Sequence, residues 1–97
     1  MLAQFAIWPL DNPHMSKEIA DITTVLDQCE VEYEVGPMGT TLTGEWQDVM
    51  DAIHACCQAA RRDHQRVLTT IIIDDDATRR QSLHEGVAKV AAHRSGV

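Results

Sequence analysis

The sequence is short of basic residues. Eight lysines and arginines stand against fifteen aspartates and glutamates, a formal net charge of −7 over 97 residues. Nucleic acid and anionic membrane surfaces both want a basic patch, so both are excluded as partners. Cysteine is also scarce. There are three, and two of them, Cys56 and Cys57, are adjacent. An odd number at this spacing makes no disulfide framework and contains no Cys-x-x-Cys pair. Reduced thiols and a cytoplasmic location are the expectation. The N-terminal apolar run "LAQFAIWPL" covers only nine residues. It is too short to span a bilayer and has neither the basic flank nor the small-residue cleavage site of a secretory signal.

Catalytic and metal patterns are missing as well. The five histidines show no zinc spacing, and His54, Cys56 and Cys57 fall on different faces of one helical segment. No serine or cysteine nucleophile sits on a glycine elbow beside a histidine, and no phosphate loop is present. The run "DDD" at residues 74–76 offers oxygen ligands. Consecutive carboxylates at a strand end seldom converge on one ion, so an acidic loop is the better reading. The expectation is a protein that is not an enzyme and needs no cofactor.

What is present is regular patterning over the whole length, with no linker and no low-complexity tract, as one domain over residues 1–97. Residues 2–10 are an apolar run of strand length ended by Pro9 and "DNP". Residues 16–29 are helical: Ser16 can cap, and Ile19, Ile22, Val25, Leu26 and Cys29 recur at three- and four-residue spacing. Residues 31–36 alternate strictly, with Val31, Tyr33 and Val35 on one face and Glu32 and Glu34 on the other. A Gly-Pro turn leads into a strand at 38–43. Residues 45–62 form a second amphipathic helix with Trp46, Val49, Met50, Ile53, Cys57 and Ala60 along one stripe. Residues 66–74 are the most β-branched stretch, and 79–94 read as a third helix with Leu83, Val87 and Val90 inward.

The order βαββαβ plus a C-terminal helix predicts an α+β, ferredoxin-like sandwich: a four-stranded antiparallel sheet with helices on one face. Strand parity then assigns the two faces. Ala3, Phe5, Ile7, Thr40, Leu42, Val67, Thr69, Ile71 and Ile73 should face the helices. Gln4, Ala6, Trp8, Glu34, Thr41, Leu68, Thr70 and Ile72 should face away. That open face holds more apolar area than a monomer usually leaves in water, and the last strand is an unguarded edge. A homo-oligomer, dimer or tetramer, is expected.

The stretch "YEVGPMGTTLTGEWQDVMDAI" (33–53) resembles the signature of the small thiamine-binding proteins. "RVLTTIIIDDD" (66–76) and "FAIWPL" (5–10) are similar to that family's last and first strands. The resemblance covers nearly the whole chain. It implies a ferredoxin-like subunit in dimers or tetramers that binds thiamine or its hydroxymethylpyrimidine moiety without catalysis. After Leu10 this chain departs from the family, with "DNPHMS" where a serine or glycine run is common.

Thiamine joins a cationic thiazolium to an aminopyrimidine that has a donor amine and ring-nitrogen acceptors. A site for it needs an apolar or aromatic slot, a carboxylate, and hydroxyls or backbone amides. Trp8, Tyr33 or Trp46 could supply the aromatic face, Glu34 the acceptor, and Thr40 or Thr41 the donor. The candidate ligand-binding set is Glu34, Met38, Gly39, Thr40, Thr41 and Trp8. The more ordinary readings are cross-strand threonines, a solvated glutamate face and interface tryptophans. Two further functions fit the same pattern: an oligomeric interaction protein with a vestigial site, and an enzyme or effector domain for another small molecule.

Overall fold

The computed structural model describes residues 1–11 and 15–83. Six elements follow in order: β1 (Leu2–Pro9), α1 (Met15–Leu26), β2 (Glu32–Gly36), β3 (Gly39–Thr43), α2 (Trp46–Asp63) and β4 (Val67–Asp74). The strands form one sheet in the order β2-β3-β1-β4, and every pairing is antiparallel. This is the predicted ferredoxin-like sandwich.

The burial pattern explains why the layers form. Ala3, Phe5 and Ile7 of β1 and Thr40 and Leu42 of β3 are buried at alternate positions, as parity requires. They meet Leu26 of α1 and a stripe on α2 made of Val49, Ala52, Ile53, Cys56, Ala59 and Ala60. Those α2 positions recur every three or four residues, which keeps one helix face on the sheet. Each large side chain removed from water here contributes about 1.5–3 kcal/mol. The C-terminal end of α2 is well satisfied. Arg61 and Arg62 lie in the last turn, and Arg61 Nη1 donates to the carbonyls of His64 and Gln65, each at 2.7 Å.

Several details differ from the sequence expectation. Helix α1 stops at Leu26, so Cys29 lies in the connection beyond it. There Cys29 still packs partly against the core. Trp46, expected in the inward stripe, is half exposed. It is the first residue of α2, and helical side chains lean toward the N-terminus, so it overhangs the helix end. The fully buried thiol is Cys56 rather than Cys57, and burial pushes its pKa up to about 12. Met38 belongs to the turn, not to the strand. Ile71 and Ile73 are exposed although their parity is inward. They sit on an edge strand, and among the described residues neither helix covers that half of it. Residues 79–83 of the predicted third helix are in turn and coil, and the rest of it lies outside the described residues.

Candidate functional site

The site begins with a mismatch of strand lengths. β1 pairs with β4 along its whole length, from Leu2–Asp74 to Pro9–Val67. It pairs with β3 only from Leu2–Thr43 to Phe5–Thr40. Beyond Phe5 the β2–β3 hairpin turns back, and the last four residues of β1 overhang it.

The hairpin tip explains the early stop. Gly36 pairs with Gly39, so Pro37 and Met38 form a two-residue loop. Tight loops of this length favour turns with positive φ at the first loop residue, which a proline ring forbids. The adjustment falls on Gly39, whose φ is +143°. A side chain there would be strained, and a Cβ would lie 2.7 Å from the Phe5 carbonyl oxygen. Glycine is therefore required where the hairpin crosses β1. On the far side of the sheet, Gln4 Nε2 donates to the Met38 carbonyl at 3.3 Å and ties the tip down.

Between the overhang, the hairpin tip and α1 lies a groove of about 260 Å³. Phe5, Ala6, Ile7 and Trp8 form one wall, Val35 to Thr40 a second, and Ile19 and Ile22 of α1 a third. It is mainly apolar, with the polar groups supplied by backbone and by Thr40. Its volume is just below the usual range for small-molecule sites, which suits one substituted heteroaromatic ring.

Four of the six candidate residues, Trp8, Met38, Gly39 and Thr40, line this groove together. Glu34 and Thr41 do not. They stand opposite one another in register, and Thr41 is also opposite Gln4. The three make a polar row across the open sheet face. Tyr33 is elsewhere again: its hydroxyl donates to Asp27 Oδ1 at 2.5 Å. The sequence pattern gave no site signal for Ile19 and Ile22, which helical spacing assigned to the core, although Ile19 is exposed. The overhang was foreshadowed by a nine-residue strand facing a six-residue one.

A second polar constellation lies where α1, the end of β1 and the α2–β4 connection meet. His64 is buried. Its Nδ1 is 2.9 Å from the Asp11 carbonyl oxygen, and its Nε2 is 2.5 Å from Glu18 Oε1. A carbonyl and a carboxylate both accept, so the protonated ring, with a hydrogen on each nitrogen, satisfies both partners at once. The Glu18 carboxylate raises the His64 pKa. The Gln65 backbone N–H donates to Asp11 Oδ2 at 3.1 Å and lowers the Asp11 pKa. Among the described residues no group of three or more histidine, cysteine or acidic side chains could hold a metal ion. No described helix is long and apolar enough to cross a membrane.

With this geometry, the relatives are informative. The profile described as "Thiamine-binding protein" matches residues 3–91. The chain belongs to the thiamine-binding protein family. The Bacillus subtilis UPF0045 protein YqgV is 28% identical over 99 residues, covering 95% of each chain. The hypothetical protein MJ1052 of Methanocaldococcus jannascii has the same fold, with a TM-score of 0.79 at 21% identity over 93% of this chain and 94% of that one. So does TM0486 of Thermotoga maritima, whose name ties it provisionally to thiamine biosynthesis or salvage. Its TM-score is 0.73 at 22% identity, covering 92% and 96%. For the family, a thiamine-related role follows from membership. The fold follows from the structural neighbours.

Proposed function

We propose that this protein binds thiamine, or its hydroxymethylpyrimidine moiety, without catalysing a reaction on it. The observation that carries the reading is the groove itself. Four residues of the candidate set converge there, Trp8 and Thr40 chosen for ligand chemistry and Met38 and Gly39 for the motif that carries the family resemblance, in a member of a thiamine-binding family. The aminopyrimidine ring enters the groove against the Trp8 indole and the Gly36–Thr40 tip. The thiazolium cation extends toward solvent, where a protein of net charge −7 favours it. The acidic row-end residue Glu34 faces the other side of the hairpin, so it meets a ligand held by a neighbouring subunit or attracts the cation at longer range. The buried Cys56 thiol, held protonated, is no nucleophile. A cytoplasmic location accords with the three free thiols.

Tryptophan fluorescence tests the placement. Trp8 lines the groove, whereas Trp46 opens α2 and does not. Hydroxymethylpyrimidine should quench emission saturably in wild type and in Trp46→Phe, and the change should vanish in Trp8→Phe. A ligand-dependent change that survives Trp8→Phe would move the ligand out of this groove.

A second reading, an interaction protein built for self-association, is favoured by the apolar open face. Trp8 and Leu68 are opposite one another in register there and both are about half exposed, with exposed Ile72 further along β4. The two readings are compatible, since Trp8 serves both the groove rim and that face.

A further inference from the structure

We infer that the main chain of Ile7 recognises the ligand, its N–H donating to a ring nitrogen and its C=O accepting from an exocyclic amine. This deepens the proposed binding function and rests on it.

The direction of the backbone groups in β1 carries this assignment. In a strand, the N–H and C=O of one residue point to the same side, and successive residues alternate. Three bonds at the two ends of β1 fix its phase. The Leu10 N–H donates to Arg66 O at 3.0 Å, so even-numbered residues turn toward β4. Met1 bonds Gly44 through both its amine and its carbonyl, so odd-numbered residues turn toward β3. Met1, Ala3 and Phe5 meet the β3 side. Ile7 is next in that series.

Extending the register would put Ile7 opposite Met38. Ladder pairing has already stopped at Phe5–Thr40, and the Met38 carbonyl accepts from the Gln4 side chain instead. Among the described residues, the Ile7 N–H and C=O therefore have no ladder partner on that side. They face the groove, which Ile7 lines. Ile7 is only 6% exposed. Main-chain donors and acceptors in such a groove are nearly always paired, with protein, water or a ligand, so this pair is available to an occupant.

The occupant is narrowly specified. An added β-strand is a poor match, because only one residue of the overhang offers both groups toward this side. The next odd position is Pro9, which has no N–H. A compact planar molecule with a donor beside an acceptor fits. The 4-amino group and adjacent ring nitrogen of an aminopyrimidine supply that pair, and the apolar walls from Trp8, Ile19 and Ile22 take the ring faces.

Amide NMR on the uniformly labelled protein, titrated with 4-amino-5-hydroxymethyl-2-methylpyrimidine and with its 4-oxo analogue, tests this. The oxo group turns the donor into an acceptor facing the Ile7 carbonyl. The amine should bind saturably, shift the Ile7 amide proton downfield and protect it from hydrogen exchange. The oxo analogue should bind about tenfold or more weakly. Saturable binding with an unmoved Ile7 amide, or equal binding of the two compounds, would overturn the assignment and leave the binder reading intact. If neither compound binds at millimolar concentration, the binder reading fails and this one with it.

Discussion

At the scale of single residues, Gly39 is the described glycine that tolerates a side chain least. Its positive φ and its approach to the Phe5 carbonyl both require the absence of a Cβ. Gly39→Ala should destabilise the fold by about 1–3 kcal/mol from the backbone conformation alone, with displacement of the hairpin tip adding to it. Urea denaturation measures this, and an unchanged midpoint would mean that the tip relaxes freely. A glycine inside a strand signals a bulge or a close backbone approach, so the reason for Gly39 was partly legible in the sequence; no local pattern shows that the carbonyl across it belongs to Phe5. Glu34 and Thr41 illustrate the opposite case. Parity placed them together on the open face, and they are in register there. Parity alone could not say that the groove would open on the other side of the hairpin.

At the scale of elements, the His64–Glu18–Asp11 constellation joins α1, the end of β1 and the α2–β4 connection through side chains more than forty residues apart in sequence. Its contribution depends on the imidazolium. The folded-state pKa of His64 is raised above the unfolded value near 6.5. The protonated ring therefore stabilises the fold fully below about pH 6.5, and the contribution is lost as pH rises through the raised folded-state value. Thermal midpoints should accordingly fall as pH rises above about 6.5 and through the raised folded-state value, and Glu18→Gln should flatten that slope. A wild-type midpoint that rises over the same interval would contradict the ion pair. None of this was legible beforehand. His64 sits in "RRDHQR", a stretch that reads as solvated, and only the tertiary fold brings Glu18 to it. The elements themselves were legible because the periodicities are clean: period two in β1 and β3, and a three-to-four spacing in α2. Three of the failed expectations, Cys29, Trp46 and Met38, stand just past or at the end of an element, whereas Cys57, Ile71 and Ile73 fall inside one. End positions are decided by turn geometry rather than by periodicity.

At the scale of the whole molecule, the sheet carries two demands. Its helix face is filled over β1 and β3. Its open face leaves Trp8, Leu68 and Ile72 in solvent, on and beside an edge strand that has neither proline nor lysine to guard it. A dimer or tetramer should therefore form at tens of micromolar, and Ile72→Lys should shift it toward monomer in light scattering. A wild-type monomer would mean that the apolar face serves something other than self-association. The family signature readable in the sequence includes a constrained stretch of backbone, the Gly-Pro-Met-Gly hairpin tip, and the strand that follows it.

The proposed function requires that the molecule hold a cationic or neutral aminopyrimidine compound in a groove at that tip. Isothermal titration calorimetry of the unmodified protein with hydroxymethylpyrimidine, thiamine and thiamine diphosphate tests it most directly. Saturable heat with one ligand per groove is predicted for the first two. The diphosphate should bind most weakly, since it brings negative charge to an acidic protein. No saturable heat from hydroxymethylpyrimidine or thiamine at millimolar concentration, or tightest binding of the diphosphate, would contradict the account.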